Sequence, residues 1–417
     1  MTSTTTPSDD RAPGRTRMLV LLAAAELLGM SVWFSANAVA PQLAARWHLS
    51  AGQAGALTTA VQLGFVAGTA LAALFNLADL VPMRAYFALA ALFAALANAA
   101  LVVAPGYGVA LATRFATGCA LAGVYPPGMK MISTWYRRSR GLAIGTVVGA
   151  LAAGKGLPYL LHAIGGAPLA TVVLGASAAA ALAAVLVGAL YHDGPFPFPR
   201  RAFTWRLVAT VVHHRATRLA IAGYLGHMWE LYAMWTWVPA FLAASVALSG
   251  GAAAAHASSV PLMSFGVLAA GGAGCVWGGW WARRVGYARV VTVSMAVSAV
   301  CAIVIGLTFG ASPWLVATAV WVWGFFVVSD SAQFSAMVTE SAPPHAVGTA
   351  LTLQTSLGFL LTMVTIQGVP PIVDAVGWRG AFPVLALGPV AGILAIARLG
   401  AGGDAQPSRS VSRNASP

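Results

Sequence analysis

The stretch ELLGMSVW at residues 26–33 places a carboxylate inside a long apolar run, and the same pattern returns at residues 230–237 as ELYAMWTW. Both copies read E-L-x-x-M-x-x-W, so Glu26 and Glu230 stand 204 residues apart. In a helix, positions i, i+4 and i+7 share one face, which brings together the glutamate, the methionine and the tryptophan of each copy. The repeat indicates an internally duplicated chain.

The composition is typical of a membrane protein. Of the 417 residues, 59% are hydrophobic and 8% are charged, and the mean hydropathy is +0.80, whereas a soluble domain carries about 25% charged residues. Twelve apolar stretches between residues 18 and 400 are each long enough for a helix to cross ~30 Å of hydrocarbon. None alternates between apolar and polar residues as barrel strands do. We predict an all-α membrane protein with twelve transmembrane helices.

The net charge of +13 raises the question whether the chain binds nucleic acid. The positions of the lysines and arginines decide against it, because most of them lie on or beside alternate connections, on the side of the N-terminus. This is the positive-inside bias of membrane proteins. We predict a multi-pass protein of the cell (cytoplasmic) membrane, with both termini in the cytoplasm and no nucleic-acid partner.

A Pro-rich and then basic segment separates the sixth apolar stretch from the seventh. We predict a cytoplasmic tail at 1–17, a six-helix bundle at 18–190, a cytoplasmic linker at 191–217, a second six-helix bundle at 218–400 and a disordered cytoplasmic tail at 401–417. A second echo supports this division. FNLADLVPMR at 75–84 and GWWARRVGYAR at 279–289 place Asp79 and Arg283 again 204 residues apart. Two halves of six spans with a common offset are typical of internally duplicated transporters.

These two turns resemble the G-x-L-A-D-R-x-G-R-R loop of the major facilitator superfamily. The matching residues are Leu77, Ala78, Asp79 and Arg84 in the first copy and Gly279, Ala282, Arg284 and Gly286 in the second. RFATGCALAG resembles the family's R-x-x-x-G element through Arg114 and Gly118, and the segment from Tyr125 to Gly141 resembles the family's organic-anion permeases. The resemblance implies two pseudo-symmetric six-helix bundles that move a substrate by alternating access.

Five charged residues fall well inside the predicted spans. An ionised side chain at a helix centre costs ~2.5–3.5 kcal/mol on insertion scales, so such residues are expected to pair or to face a water-filled pathway. They are Glu26, Arg114, Lys155, Glu230 and Asp330. The resemblance implies that the first, fourth, seventh and tenth spans line a central cavity, and four of the five residues lie on those spans.

The two cations are candidates to bind an anionic substrate, Arg114 through its planar fork and Lys155 as a compact charge. A structural ion pair between Arg114 and Glu26 is the alternative. Trp33, Asn37 and Trp237 share helix faces with the glutamates and, with Tyr232, would complete the substrate pocket. The alternative for the tryptophans is a position facing lipid or a neighbouring helix.

Carboxylates that gain and lose a proton as the cavity changes sides would couple transport to the proton gradient. We expect Glu230 to do so first, helped by His227 on the same face, and Glu26 second. His227 could instead bond a neighbouring helix. Asp79, Arg84, Arg283 and Arg284 would form gating contacts at the inner surface. Asp330 would belong to an inner gate or cap a helix end.

No span or connection offers a nucleophile with a base, a set of metal ligands or a phosphate-binding loop. We therefore predict no enzyme, no cofactor and no metal. The expected function is a proton-driven secondary transporter, monomeric in the lipid bilayer, for a small organic anion or polar metabolite. The alternatives are a proton/drug antiporter and a transporter-like receptor that binds its ligand without moving it.

Overall fold

The computed structural model describes residues 12–75, 77–137, 140–164, 166–196, 205–249 and 259–403. Within those ranges the regular elements are all helices. Most of the two predicted tails lies outside the described residues, since positions 1–11 and 404–417 are not among them. Within the predicted linker, a helix at Trp205–His213 packs on the seventh and eleventh principal helices and buries Val211.

Twelve principal helices follow one another along the described chain. They are α1 (Arg15–Gly29), α2 (Ala51–Leu74), α3 (Met83–Ala99), α4 (Tyr107–Leu121), α5 (Arg140–Ala163), α6 (Leu169–Leu190), α7 (Arg215–Leu248), α8 (Val260–Val285), α9 (Tyr287–Val304), α10 (Pro313–Phe326), α11 (Val347–Ala381) and α12 (Leu387–Gly403). Shorter helices extend or join them at Ser35–Ala38, Ala40–Trp47, Leu77–Leu80, Tyr125–Ser133 and Ser331–Ser341.

Eleven helical segments of the described chain are long and apolar enough to cross a membrane. The remaining predicted span, the first, is interrupted. After α1 the chain forms a 3-10 turn at Met30–Val32, and Phe34 and Val39 leave the helical conformation. Pro41 then lies in the first turn of Ala40–Trp47. A proline lacks the N–H that would continue the helix and clashes with the turn before it, which explains the departure at Val39.

The fourth and tenth spans are interrupted near their middle as well. α4 ends at Leu121, and the chain resumes at Tyr125–Ser133 with Pro126 in its first turn. α10 ends at Phe326 and resumes at Ser331–Ser341. The seventh span, by contrast, is one helix of 34 residues. Three of the four spans expected to line the cavity therefore expose backbone groups inside the bundle, where other parts of the protein must satisfy them.

The helices form two groups of six with the same internal packing. In the first group α1 packs on α5 and α6, α2 on α4, and α3 on α6. In the second group the equivalent pairs are α7 with α11 and α12, α8 with α10, and α9 with α12. Two pairs join the groups, α5 with α8 and α2 with α11. The prediction of an all-α membrane protein with two pseudo-symmetric six-helix bundles is confirmed.

The α5–α8 contact is a close approach of two backbones. A Cβ added to Gly149 would lie 2.6 Å from the carbonyl oxygen of Gly272, and one added to Gly272 would lie 2.6 Å from that of Gly149. No side chain fits at either position. Small residues that let helices touch through their backbones are a common means of helix association in membranes.

Candidate functional site

A small cavity lies between the two groups of helices. Its lining residues are Tyr125, Val148, Leu151, Ala152, Lys155, Tyr224, Met228, Leu231, Tyr232, Trp235, Val328, Ser331 and Phe359. Its volume is about 30 Å³, and because one water needs ~10–15 Å³ on this measure, it has room for about two waters. In this conformation the cavity is closed around its own side chains.

Lys155 is the charged residue among the lining residues, and aromatic side chains surround it. Its ammonium nitrogen donates a hydrogen bond of 2.5 Å to the Tyr232 hydroxyl. The same nitrogen lies 4.3 Å from the ring centroid of Trp33, 4.7 Å from that of Tyr232 and 5.2 Å from that of Trp235. Rings at such distances attract a cation through their negative faces. Lys155 on α5 therefore bridges the two groups of helices by contacting α7.

The rings around Lys155 belong to a larger aromatic cluster that spans both groups. Trp33 contacts Phe65 of α2 and Phe359 of α11, with centroid separations of 5.4 and 5.5 Å. Phe65 and Phe359 are 4.7 Å apart, and Tyr232 lies 5.1 Å from Phe359. Tilted aromatic pairs at these separations are favourable beyond the area they bury. The cluster holds the centre of the molecule closed.

Glu26 lies beside this cluster with neither carboxylate oxygen hydrogen-bonded. The residue is fully buried on α1, and within the described part of the chain Oε1 and Oε2 both lack a donor. The carboxylate packs against the backbone of Gly128, where an added Cβ would overlap Oε1. It is close enough to Lys155 for the two to attract each other electrostatically. The buried acid and the buried base thus interact through their charges without a hydrogen bond between them.

Arg114 is fully buried and binds the interruption of the first span. Its guanidinium donates to the carbonyl oxygens of Val32 and Trp33, and also to Asn98 Oδ1 at 2.8 Å and Ser35 Oγ at 3.2 Å. A cation at the C-terminal end of a helix is favourable because the last carbonyls are unpaired. The structure brings Arg114 neither to Glu26 nor into the lining of the cavity.

Glu230, the second copy of the repeated glutamate, lies inside the second group of helices. Its Oε1 accepts hydrogen bonds from Ser298 Oγ at 2.8 Å and from Trp323 Nε1 at 2.7 Å. It is 2% exposed, and it does not belong to the cavity lining.

His227 pairs with Asp330 rather than with Glu230. The His227 Nδ1 lies 2.9 Å from Asp330 Oδ1, and both side chains are 2% exposed. Asp330 stands at the N-cap position of Ser331–Ser341, yet its side chain makes no capping hydrogen bond. The pair instead joins the interruption of the tenth span to α7, next to the cavity residues Met228 and Ser331.

Two further predicted pocket residues lie between helices away from the cavity. Asn37 Oδ1 accepts a hydrogen bond of 2.8 Å from Thr58 Oγ1. Trp237 Nε1 donates to the Ile366 carbonyl at 2.9 Å, and the indole ring packs against Gly55 of α2. Trp237 therefore contributes to the contact between α2 and the second group of helices, whereas Trp33 and Tyr232 lie against Lys155.

The predicted gating residues lie at the ends of helices. Arg84, Arg283 and Arg284 are exposed, and the Arg284 guanidinium lies 4.1 Å from the ring centroid of Trp280. Asp79 belongs to the helix Leu77–Leu80, and its side chain lies outside the described part of the structure. The structure does not bring these arginines to the central cavity.

The sequence reasoning missed several residues of the site. Trp235, Phe359 and Tyr125 line the cavity, and Phe65 belongs to the aromatic cluster. Trp235 could have been found, because it lies three residues after Tyr232 and thus on the same helix face. Phe359 and Phe65 stand in apolar runs with no local signal, and only the pairing of α2 with α11 brings them together.

Two of three comparisons with known proteins found matches. A sequence model described as "Major Facilitator Superfamily" matches residues 21–366. A comparison with curated proteins found no match. The fold resembles the crystal structure of a bacterial homologue of the human lysosomal transporter Spinster, in an inward-facing and unoccupied conformation. That pair has 16% identity and a TM-score of 0.63, over 93% of this chain and 94% of the other.

The fold also resembles a crystal structure of a variant of the nucleoside transporter NupG. The identity is 14% and the TM-score 0.70, over 92% of this chain and 99% of the other. At such identities the likeness concerns the fold and not the substrate.

Proposed function

Because the chain belongs to the major facilitator superfamily, we propose that it is a proton-coupled transporter of a small organic anion that works by alternating access. Family membership and the transporter neighbours make it a secondary transporter and not an enzyme. The observation that supports an anionic substrate is Lys155, a buried cation in the cavity between the two groups of helices.

The surroundings of Lys155 favour an exchange of partners during transport. Its hydrogen bond and two of its ring contacts are with Tyr232 and Trp235 of the second group. Separation of the two groups around the cavity would remove those contacts and leave a buried cation without them. A substrate anion entering the opened cavity would compensate that charge, because a desolvated charge needs an opposite charge or hydrogen bonds. When the cavity closes again, the anion would lie between Lys155 and the Tyr232 hydroxyl.

We place the coupling proton on Glu26 rather than on Glu230. A buried carboxylate that receives no hydrogen bond favours its neutral form, whereas hydrogen bonds to Oε1 stabilise the ionised form. Glu26 is of the first kind and Glu230 of the second. Glu26 also belongs to the same group of helices as Lys155. When the opened cavity holds no substrate, Glu26 is the carboxylate that Lys155 can attract, and the proton of Glu26 is then released. A substrate anion bound to Lys155 would take that place, and Glu26 would bind a proton again.

The orientation in the membrane and the roles of the predicted gating residues concern the ends of the helices. We propose that the side at which α1 begins is the cytoplasmic side of the cell membrane, since the predicted cytoplasmic connections carry most of the basic residues. Arg84, Arg283 and Arg284, exposed at helix ends, would then form contacts there in the other access state. The His227–Asp330 pair would hold α7 to the tenth span as the halves move.

The experiment is uptake by the full-length protein in proteoliposomes with an imposed pH gradient. Wild type is compared with Lys155→Met, Glu26→Gln and Glu230→Gln, and exposed Arg398→Gln is the matched control for loss of a charge. We expect Lys155→Met to abolish uptake of organic anions. Glu26→Gln should abolish uptake driven by the gradient but retain exchange of substrate across the membrane.

Two results would contradict the proposal. Anion uptake by Lys155→Met at the wild-type rate would remove the substrate role of the lysine. Loss of gradient-driven uptake in Glu230→Gln, with Glu26→Gln unaffected, would move the coupling proton to the other copy of the repeat.

A further inference from the structure

We infer that the substrate is an amphipathic monoanion, with one anionic group bound by Lys155 and Tyr232 and a flat aromatic body packed against Trp235 and Phe359. This inference rests on the proposed function, because it names the class of anion that the same site takes. It goes further by specifying the number of charges and the nature of the body that carries them.

The number of available cations sets the charge of the substrate. Lys155 is the charged side chain in the described lining of the cavity. Arg114, the other buried cation of the first group, already donates to the carbonyls of Val32 and Trp33 and to Asn98. A dianion would therefore bury one negative charge without a partner, which is strongly unfavourable. The cavity can neutralise one charge.

The geometry around Lys155 provides a second donor for the anionic group. The ammonium nitrogen and the Tyr232 hydroxyl oxygen are 2.5 Å apart. The hydroxyl accepts from the ammonium and still has its own proton to donate. Two adjacent donors can bind two oxygens of one carboxylate or sulfonate group, and the charge makes such hydrogen bonds stronger than neutral ones.

The rest of the lining is suited to an aromatic body. The rings of Tyr232, Trp235 and Phe359 form one continuous set. The centroid of Tyr232 lies 5.4 Å from that of Trp235 and 5.1 Å from that of Phe359. Leu151 and Met228 extend the apolar surface. A flat ring would bury its area and stack against these side chains. A sugar would lose its hydrogen bonds to water. Beyond Lys155, the side chains of the described lining offer in return only the hydroxyls of the tyrosines and of Ser331 and the indole N–H of Trp235.

An organic cation is disfavoured at this site. The rings that could hold it already hold the Lys155 ammonium, at 4.3 to 5.2 Å from their centroids. A free cation would have to displace a tethered one and would then face its like charge. Removal of the lysine charge should reverse this preference, because the same rings would be left without a cation.

A matched series of fully ionised compounds tests the inference by calorimetry on the full-length protein in detergent micelles. The probes are naphthalene-2-sulfonate and benzenesulfonate, methanesulfonate without a ring, benzene-1,3-disulfonate with a second charge, and benzyltrimethylammonium with the opposite charge. We expect the two aromatic monosulfonates to bind about tenfold or more tightly than the other three, the size of one lost favourable contact.

Two variants and two matched controls test whether the preference for an anion over a cation reverses when Lys155 is removed. A purely structural role of Lys155 would not give such a reversal. Lys155→Met should lose benzenesulfonate affinity and gain affinity for benzyltrimethylammonium. Trp235→Leu should weaken the aromatic sulfonates and leave methanesulfonate unchanged. Trp314→Leu, at an indole that is 57% exposed, and Arg398→Gln should bind all five probes as wild type does.

Several outcomes would overturn the inference. One is that wild type binds methanesulfonate and benzenesulfonate with equal affinity. Another is that wild type binds the disulfonate or the cation more tightly than the aromatic monosulfonates. A third is that wild type binds no sulfonate. Flux measurements separate this inference from the proposed function. Binding of naphthalene-2-sulfonate without uptake in a pH gradient would contradict the proposed function alone. Gradient-driven uptake of the cation or the disulfonate, with no aromatic monosulfonate bound, would contradict this inference alone.

Discussion

The two copies of E-L-x-x-M-x-x-W occupy equivalent helices but have opposite environments. Glu230 lies on a continuous helix and receives hydrogen bonds from Ser298 and Trp323. Glu26 lies on a span that breaks after Gly29 and receives none. The same residue type at the same place in the repeat is therefore a bonded part of the packing in one copy and an unbonded carboxylate in the other.

The tryptophans of the two copies differ in the same sense. The Trp237 indole N–H donates to the Ile366 carbonyl. The Trp33 N–H is buried without an acceptor, and its ring faces Lys155 instead. A duplicated pattern thus predicts where a side chain lies, while the surrounding helices decide what it does. Unsatisfied polar groups are rare in buried positions. In the described chain the repeated glutamate and tryptophan are unsatisfied in the first copy and bonded in the second, which favours a functional role for this pair in the first copy.

The largest expected effect is a difference in stability between the variants Glu230→Leu and Glu26→Leu. Glu230→Leu leaves the buried donors of Ser298 and Trp323 without an acceptor, so we expect the free energy of unfolding in mixed micelles to fall by about 2–4 kcal/mol. Glu26→Leu removes a buried carboxylate that no donor stabilises, so stability should be unchanged or higher. A loss of more than 1 kcal/mol in Glu26→Leu would show that this carboxylate has a stabilising partner.

A smaller effect is expected where Glu26 meets Gly128. The added methyl group of Gly128→Ala would overlap the carboxylate, and overpacking of this kind costs about 1–3 kcal/mol. In the Glu26→Ala background the space is free, and Gly128→Ala should then be nearly neutral. The double-mutant cycle in unfolding free energy measures this coupling. Additive effects would mean that the two residues do not touch.

The smallest effect distinguishes the two tryptophans. Trp237→Phe loses a hydrogen bond, whereas Trp33→Phe loses none, so we expect Trp237→Phe to be the more destabilising by about 0.5–1.5 kcal/mol. Trp229, whose Nε1 donates to the Val384 carbonyl at 3.1 Å, is the matched control on the same helix. Trp229→Phe should resemble Trp237→Phe. A greater loss in Trp33→Phe would contradict the comparison and indicate that its contact with Lys155 outweighs a hydrogen bond.

The fold could be predicted from the sequence because its determinants are long and repeated. Apolar length, the basic residues beside alternate connections and the 204-residue offset each act over many residues, so local errors do not alter the result. The interruption of the first span was not predicted, although Pro41 is a local signal for the departure at Val39. The membrane-spanning length of the run concealed the break, since hydropathy measures composition and not backbone conformation.

The candidate site could be predicted only in part. The buried charges were identified because charge is costly anywhere in hydrocarbon. Their partners depend on the rotation of each helix and on which helices meet. Arg114 binds carbonyls that are free only because the first span breaks, and His227 meets Asp330 only because the tenth span resumes beside α7. Spacing along one helix could not indicate either pairing.

At Gly149 and Gly272 the two halves of the molecule touch through backbone atoms rather than through side chains. Where side chains interlock, a change of tilt has to withdraw each one from its groove and repack it. At these two glycines backbone meets backbone, so a change of tilt at this point would not have to withdraw a side chain from a groove. A methyl group added to either glycine would force the two backbones apart, and we expect it to hinder any such change of tilt.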